Sequence, residues 1–401
     1  EVSRIEVNAP DLPGVMIDVG QSRNYPHGGD LAHVLGYVAA VSPNDQTGDP
    51  LLELPGFRIG KAGIERTHDL ALRGSSGSSK VEVNAYGRVI RELERKDGQS
   101  GAEVQLTIDM ELQRYICRRL GDESASVVVM DVRSGDILAM VSNPSFDPNS
   151  FNRGLTSSEW QSLIGNPRAP LINKAIAGGY APGSTFKMCV LLAALDKGVI
   201  SPLSKVFCSG FTELGNARFH CWKKHGHGLV NAEKAMTQSC DVYFYEIAKR
   251  TGIERIAAMA RQFGLGEKLE IDLPGERSGL IPTPKWKLGR KSVSWQKGET
   301  LIAGIGQGYL LVTPLQLAVM TARLVNGGVA VLPRITRSVM HDGIKASQTA
   351  PQFKALNLPH HHLNLILNAM NNVVNAPHGT AYRARITEPG LEMAGKTGTV
   401  Q

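Results

Sequence analysis

Apolar residues are sparse and irregular over the first hundred positions of the chain. Residues 1–104 are rich in glycine, proline and charged residues, and their apolar runs, 31–40 and 81–89, are short. This pattern predicts an irregular unit that contains strands. Serine and glycine dominate residues 72–80, a composition typical of flexible linkers, and we predict a loop there.

Beyond residue 105 the apolar positions recur at the spacing of regular elements. Asp109 is suited to cap a helix with apolar residues at Leu112, Tyr115, Ile116 and Leu120. Two β-rich runs, 126–132 and 136–141, flank a Ser-Gly turn and predict a hairpin. Further helices are predicted at 185–197, 232–236, 242–250, 314–325 and 362–374, and a strand at 393–401. This order indicates an α+β fold, in which helices pack against an antiparallel sheet.

Length and charge narrow the class of protein. The chain has 401 residues, of which 42% are hydrophobic and 20% charged, which indicates a globular protein of two units, 1–104 and 105–401. Its apolar stretches are shorter than the roughly 18 residues that span a bilayer. The net charge of +7 is spread along the chain without a basic run, which argues against nucleic-acid binding.

A hydroxyl and an amine stand three residues apart in Ser184-Thr-Phe-Lys187. Pro182 and Gly183 predict a turn before the helix at 185–197, so both side chains leave neighbouring positions at a helix N-terminus. A lysine can accept the proton of a serine hydroxyl when burial or a nearby cation disfavours the ammonium form. The pair alone is weak evidence, because such spacings also occur by chance on exposed helices.

Two further motifs strengthen the interpretation. Ser239-Cys-Asp241 offers a second hydroxyl, which can relay a proton, and a carboxylate, which can orient the other groups. Lys396 can supply positive charge both for a substrate carboxylate and for lowering the pKa of Lys187. Three such motifs in this order predict a serine acyltransferase.

The residues after Lys396 fit the same chemistry. Gly398 allows the predicted strand to approach a substrate closely, and alternation along the strand places Thr397 and Thr399 on one face. The backbone N–H groups of Ser184 and Thr399 are candidates for an oxyanion hole, which acyl transfer requires. We therefore expect 397–399 to bind the substrate.

Together, these motifs resemble the three signatures of the penicillin-binding and serine β-lactamase superfamily. The sequences around them are similar to monofunctional class B transpeptidases at 135–142, 180–187, 298–308 and 378–381. Aspartate at the third position of the second motif is similar to the penicillin-binding protein 2 group of the elongation machinery. Residues 60–65 and 82–88 resemble the non-catalytic pedestal of that group.

The resemblance implies a peptidoglycan DD-transpeptidase that cross-links stem peptides through a Ser184 acyl-enzyme, needs no cofactor for catalysis and is inhibited by β-lactams. It implies a transpeptidase domain over 105–401 that continues beyond Gln401, behind a partial pedestal over 1–104. It also implies an N-terminal membrane helix before this segment. The expected location is the periplasmic face of the bacterial inner membrane, with rod-complex glycosyltransferase and scaffold proteins as partners.

Related functions could use the same residues. A DD-carboxypeptidase passes the acyl group to water, and a β-lactamase deacylates rapidly; the pedestal-like first hundred residues favour a transpeptidase over both. A penicillin-binding sensor or scaffold would be acylated without turning over. Labelling by penicillin without cross-linked product would indicate that alternative.

Cysteine and histidine recur in the spacing Cys208-x12-Cys221-x5-His227-x12-Cys240. Three thiolates and one imidazole are the complement of a closed tetrahedral zinc site, whose role would be structural. His227 is preferred to the two nearby histidines because 222–228 resembles a Trp-Lys-Lys-x-Gly-His-Gly stretch of the family. A Cys208–Cys221 disulfide and unpaired buried thiols are the alternatives.

Overall fold

The computed structural model describes residues 2–8, 11–12, 22–54, 56–85, 89–341, 344–345 and 352–400. The pedestal-like stretch 82–88 and the predicted strand at 393–401 each end outside the described residues. Over the described ranges, no helix is both long enough and apolar enough to cross a membrane.

Short elements make up the N-terminal unit. Its helices are α1 (Val2–Val7), α2 (Ala32–Leu35), α3 (Gly63–Thr67) and α4 (Asp69–Arg73), and its strands are β1 (Val38–Ala40), β2 (Arg58–Gly60), β3 (Ser78–Val83) and β4 (Val89–Lys96). β1 pairs with β2, and β3 with β4, in both cases antiparallel. The loop predicted at 72–80 is wrong at both ends, because α4 covers its start and β3 its end. The strand forms because Ser78 and Ser79 find ladder partners in Lys96 and Arg95, which local composition does not reveal.

Longer helices and, over the described residues, four small sheets make up the remainder. The helices are α5 (Met110–Leu120), α6 (Pro148–Arg153), α7 (Ser157–Ile164), α8 (Lys174–Ala177), α9 (Lys187–Asp196), α10 (Ala232–Thr237), α11 (Asp241–Thr251), α12 (Ile253–Gln262), α13 (Pro284–Lys291), α14 (Lys297–Gly304), α15 (Pro314–Val325) and α16 (His360–Asn375). The strands are β5 (Glu103–Leu106), β6 (Ala125–Met130), β7 (Ile137–Asn143), β8 (Val206–Cys208), β9 (Phe211–Leu214), β10 (Ala217–His220), β11 (Gly228–Val230), β12 (Thr336–His341) and β13 (Ile344–Lys345).

Several predicted elements are confirmed. Helix α5 begins after Asp109, whose carboxylate accepts hydrogen bonds from the backbone N–H groups of Glu111 and Leu112. Strands β6 and β7 form the predicted antiparallel hairpin, against which α5 packs. Helix α15 has the predicted bounds, with Thr313 as a capping residue.

Helix α9 is the centre of the larger core. All its residues from Lys187 to Leu195 are buried, and it packs against α11, α12 and α16. A helix that is apolar on every side is stable only when other elements surround it. This burial fixes the position of the Ser-x-x-Lys motif, which lies at the start of α9.

The strand predicted at 393–401 is not formed over the described residues 393–400. A strand requires a ladder of backbone hydrogen bonds to a neighbour. The one backbone pairing found here runs from the Gly395 N–H to the Met370 carbonyl, at 3.2 Å. The segment is instead held by side chains and by close backbone packing beside Ser184.

Candidate active site

Ser184 lies in a 3₁₀ turn, Gly183–Phe186, that runs directly into α9. Gly183 has φ +54°, and a Cβ there would lie 2.5 Å from the Thr399 carbonyl oxygen. On the other side, the Gly183 N–H donates to the Gly306 carbonyl at 2.9 Å. Because glycine has no side chain, the turn that carries Ser184 can pack closely against both flanking segments, and a larger residue at position 183 would not fit.

Lys187 is completely buried one turn after Ser184. Its Nζ donates to the Asp241 carboxylate Oδ1 at 2.7 Å, to the Ser239 Oγ at 3.1 Å and to the Ser239 carbonyl at 3.0 Å. Over the described residues, the Ser184 hydroxyl has no hydrogen bond of its own. The lysine therefore links the first motif to the second, and Ser184 faces the same cleft.

The Ser239 hydroxyl lies between two amines. Lys396 Nζ donates to Ser239 Oγ at 3.1 Å, opposite the bond from Lys187. Burial, and then the nearby Lys187 charge, lower the pKa of Lys396 to about 7, while Asp241 opposes this shift. Lys396 can therefore exchange its proton near neutral pH.

The backbone of Ser239 is in an unusual conformation. Its φ is +53°, in the left-handed region that costs a non-glycine residue about 1–3 kcal/mol. Such strain persists only where surrounding contacts hold it, and it is enriched at functional sites. The conformation points the Ser239 carbonyl and hydroxyl towards Lys187 together.

The third motif contributes hydroxyls to the cleft. Thr397 Oγ1 lies 2.8 Å from Thr380 Oγ1, and the Thr397 carbonyl accepts from Lys396 Nζ at 3.0 Å. A Cβ at Gly398 would lie 3.2 Å from the Pro182 carbonyl, a tight contact beside the nucleophile turn. Thr397 and Thr399 both line the cleft, although the strand that was expected to place them on one face is not formed over the described residues of that segment.

A cavity of about 440 Å³ lies next to these groups, and the Ser239 hydroxyl that both lysines contact is part of its lining. It is lined by Ser184, His220, Cys221, Trp222, Ser239, Asp241, Tyr245, Ile305, Gln307, Thr380, Thr397 and Thr399. A nucleophile, two amines, a relay hydroxyl and candidate oxyanion donors are the parts that acyl transfer needs. The arrangement is suited to serine acyl transfer.

Sequence reasoning missed some residues of this cleft. Trp222, Tyr245, Gln307 and Thr380 line it, although no role was predicted for them. Thr380 and Gln307 fall within the family-like stretches 378–381 and 298–308, which was the available signal. Trp222 opens the stretch that was used to select His227.

The four predicted metal ligands, Cys208, Cys221, His227 and Cys240, meet behind the second motif. Their ligand atoms all lie within 4.8 Å of one another, and all four residues are buried. His227 Nδ1 is 3.7 Å from Cys208 Sγ and 3.5 Å from Cys221 Sγ. The five cysteines are free thiols. The Cys221 and Cys240 side chains share a hydrogen bond, which lowers the pKa of the Cys221 thiol and raises the pKa of the Cys240 thiol.

Comparison with known families identifies the class. The penicillin binding protein transpeptidase domain matches residues 125–401, and the penicillin-binding protein dimerisation domain matches residues 1–106. The chain therefore belongs to the penicillin-binding protein transpeptidase family. The predicted resemblance and the α+β transpeptidase fold are thereby confirmed.

Individual relatives point to one branch of that family. Over the whole length of this chain, the sequence is 38% identical to the peptidoglycan D,D-transpeptidase MrdA of Escherichia coli K12. The match spans 64% of the length of that relative. It is 37% identical to MrdA of Acinetobacter baumannii, with 97% of the chain and 58% of that protein covered.

Solved structures that resemble this chain come from the same branch of the family. The structure of Pseudomonas aeruginosa PBP2 in complex with WCK 5153 matches with a TM-score of 0.82 and 34% identity, over 96% of this chain and 82% of that one. The complex between PBP2 and MreC from Helicobacter pylori matches with a TM-score of 0.87 and 31% identity, over 100% of this chain and 74% of that one.

Proposed function

We propose that the chain carries the catalytic unit of a peptidoglycan DD-transpeptidase. The observation that supports this most directly is the position of the Ser239 hydroxyl, 3.1 Å from both Lys187 Nζ and Lys396 Nζ in the cleft that holds Ser184. Two amines on one hydroxyl form a path for protons between a nucleophile and a leaving group.

The reaction proceeds in two acyl transfers. In the form of the enzyme in which Lys187 is a neutral amine, Ser184 Oγ attacks the penultimate D-Ala carbonyl of a stem peptide and its proton passes to Lys187. The proton then moves through the Ser239 hydroxyl to the amine of the departing D-Ala, so the C–N bond breaks as the ester forms. Lys396 and Thr397 bind the terminal carboxylate, and the N–H groups of Ser184 and Thr399 stabilise the oxyanion.

The second transfer reverses these roles. An amine from a neighbouring stem attacks the ester, loses a proton through the same relay, and releases Ser184. The Asp241 carboxylate keeps Lys187 oriented at 2.7 Å throughout. Catalysis is thus assigned to side chains and backbone groups of the protein.

Labelling with a fluorescent penicillin tests the nucleophile. We expect Ser184→Ala to abolish the covalent label, whereas Ser158→Ala, an exposed serine on α7, should leave it unchanged. Incubation of the longer, membrane-anchored protein with a lipid-linked substrate and a glycosyltransferase then tests turnover. Cross-linked product supports the transpeptidase; trimmed stems alone indicate a carboxypeptidase, and labelling without any product indicates a sensor.

We also propose that zinc binds Cys208, Cys221, His227 and Cys240. Ligands of a tetrahedral zinc ion lie roughly 3.5–3.8 Å from one another, given bond lengths of about 2.0–2.3 Å, and the two measured sulfur–nitrogen distances are 3.7 and 3.5 Å. Four protein ligands leave no open position, so the ion would brace the fold next to Ser239 and would take no part in the chemistry.

Elemental analysis of the purified protein tests the zinc site. One zinc per chain is expected, and Cys208→Ser should lose it and lower the melting temperature. Cys117→Ser, at a thiol outside the cluster, is the matched control. Protein that is fully folded with no metal, or with a Cys208–Cys221 disulfide, would contradict the proposal.

The remaining assignments follow from the relatives. We place the protein at the periplasmic face of the inner membrane, with a non-catalytic unit over 1–104 and the catalytic unit over 105–401. The Helicobacter pylori relative was solved with MreC, and a further relative belongs to a peptidoglycan synthase complex. Analogous rod-complex scaffold and glycosyltransferase partners are proposed here, and co-purification from membranes would test them.

A further inference from the structure

Trp222 contacts the second catalytic motif through both its side chain and its backbone. Its indole Nε1 donates to the carbonyls of Gln238, at 3.0 Å, and Ser239, at 3.1 Å. Its backbone N–H donates to Asp241 Oδ2 at 3.0 Å. One residue thus binds both ends of the Ser239-to-Asp241 segment.

These bonds act at the strained point of the site. Ser239 has φ +53°, and its carbonyl accepts from both the Trp222 indole and Lys187 Nζ. The other Asp241 oxygen, Oδ1, is occupied by Lys187. Trp222 and Lys187 therefore both donate to the Ser239 carbonyl and to the Asp241 carboxylate.

The indole ring is not held in place by burial. Trp222 is 55% exposed and forms one wall of the catalytic cleft. Its ring meets the His227 ring edge to face, with 5.3 Å between centroids. Because so much of the ring faces solvent, we attribute its position mainly to the two bonds that its N–H makes.

We propose that Trp222 is a positioning residue, whose indole N–H holds the left-handed Ser239 peptide so that the Ser239 hydroxyl lies between Lys187 and Lys396. This inference rests on the proposed acyl transfer and adds a residue to it. Trp222 exchanges no proton with substrate; it acts through Ser239. Loss of the N–H lets the Ser239 peptide relax and moves the hydroxyl out of line with the two amines.

Trp222→Phe removes the N–H and keeps an aromatic ring against His227. Trp160→Phe is the matched control, since Trp160 lies on α7, is 42% exposed and makes no side-chain hydrogen bond over the described residues. Stopped-flow labelling with a fluorescent penicillin separates the acylation rate constant from the affinity of the non-covalent complex. We expect Trp222→Phe to lower the rate constant about tenfold, with affinity within about twofold.

A purely structural role predicts a different outcome. It would lower the melting temperature and the zinc content, and the remaining folded protein would be acylated at the normal rate. An unchanged rate constant in folded Trp222→Phe overturns the inference, while the proposed function stands because Ser184 is still labelled. If Trp222→Phe does not fold, benzothienylalanine at position 222, which keeps the bicyclic shape but lacks the N–H, decides between the same two outcomes.

Discussion

The charge on Lys396 should control recognition of the substrate carboxylate near neutral pH. Burial and the Lys187 charge lower the pKa of Lys396 from 10.5 to about 7, so the ammonium form dominates below that pH and is lost above it. The carboxylate of a β-lactam binds the ammonium form. Its non-covalent affinity should therefore be highest at pH 6 and decline as the pH rises.

The magnitude follows from this pKa. When a ligand binds only the protonated form, the apparent dissociation constant rises about twofold at pH 7, about tenfold at pH 8 and about hundredfold at pH 9. Lys396→Arg is the test variant, because a guanidinium remains charged over this whole range. We expect its affinity to be weaker at pH 6, where the longer fork fits the cleft less well, but independent of pH.

Stopped-flow labelling between pH 6 and 9 measures the dissociation constant separately from acylation. A wild-type affinity that does not change with pH would refute the reasoning. So would a pH dependence of the same steepness in Lys396→Arg, since the titrating group would then be another residue of the cleft.

Two further substitutions probe the support of the site. Asp241→Asn should lower the free energy of unfolding by about 3 kcal/mol, since the buried Lys187 ammonium loses its charged partner and the new amide N–H faces the Trp222 N–H. Urea unfolding measures this, and unchanged stability would contradict it. Gly183→Ala should slow penicillin acylation more than tenfold, because the new Cβ would lie 2.5 Å from the Thr399 carbonyl oxygen. Gly198→Ala is the control, since Gly198 has a similar φ of +62° but open space around it. That variant should be less stable but should be acylated at the normal rate.

Local patterns predicted the parts of the fold that depend on nearby residues. Helix α5, its Asp109 cap and the β6–β7 hairpin are set by contacts between near neighbours in sequence. The region at 393–400 shows the limit of this reasoning. Its residues alternate as in a strand, yet they lack a paired neighbour over the described part of the chain, and alternation does not supply one.

The candidate site was predictable as a set of residues but not as a geometry. Ser239 and Lys396 are 157 residues apart in sequence and share a hydrogen bond, and only the recurrence of the three motifs indicated that they meet. The left-handed backbone of Ser239 has no signal in the sequence, because serine does not favour it. The role of Trp222 depends on that backbone, so it too was invisible.

The choice of aspartate at position 241 follows from the donors around it. Oδ1 accepts from the Lys187 ammonium and Oδ2 from the Trp222 backbone N–H, so both oxygens face donors, and an amide NH₂ in place of either oxygen would face one of these donors. In this chain, Asp241 therefore ties the segment at 221–222, which also carries a cluster cysteine, to Lys187.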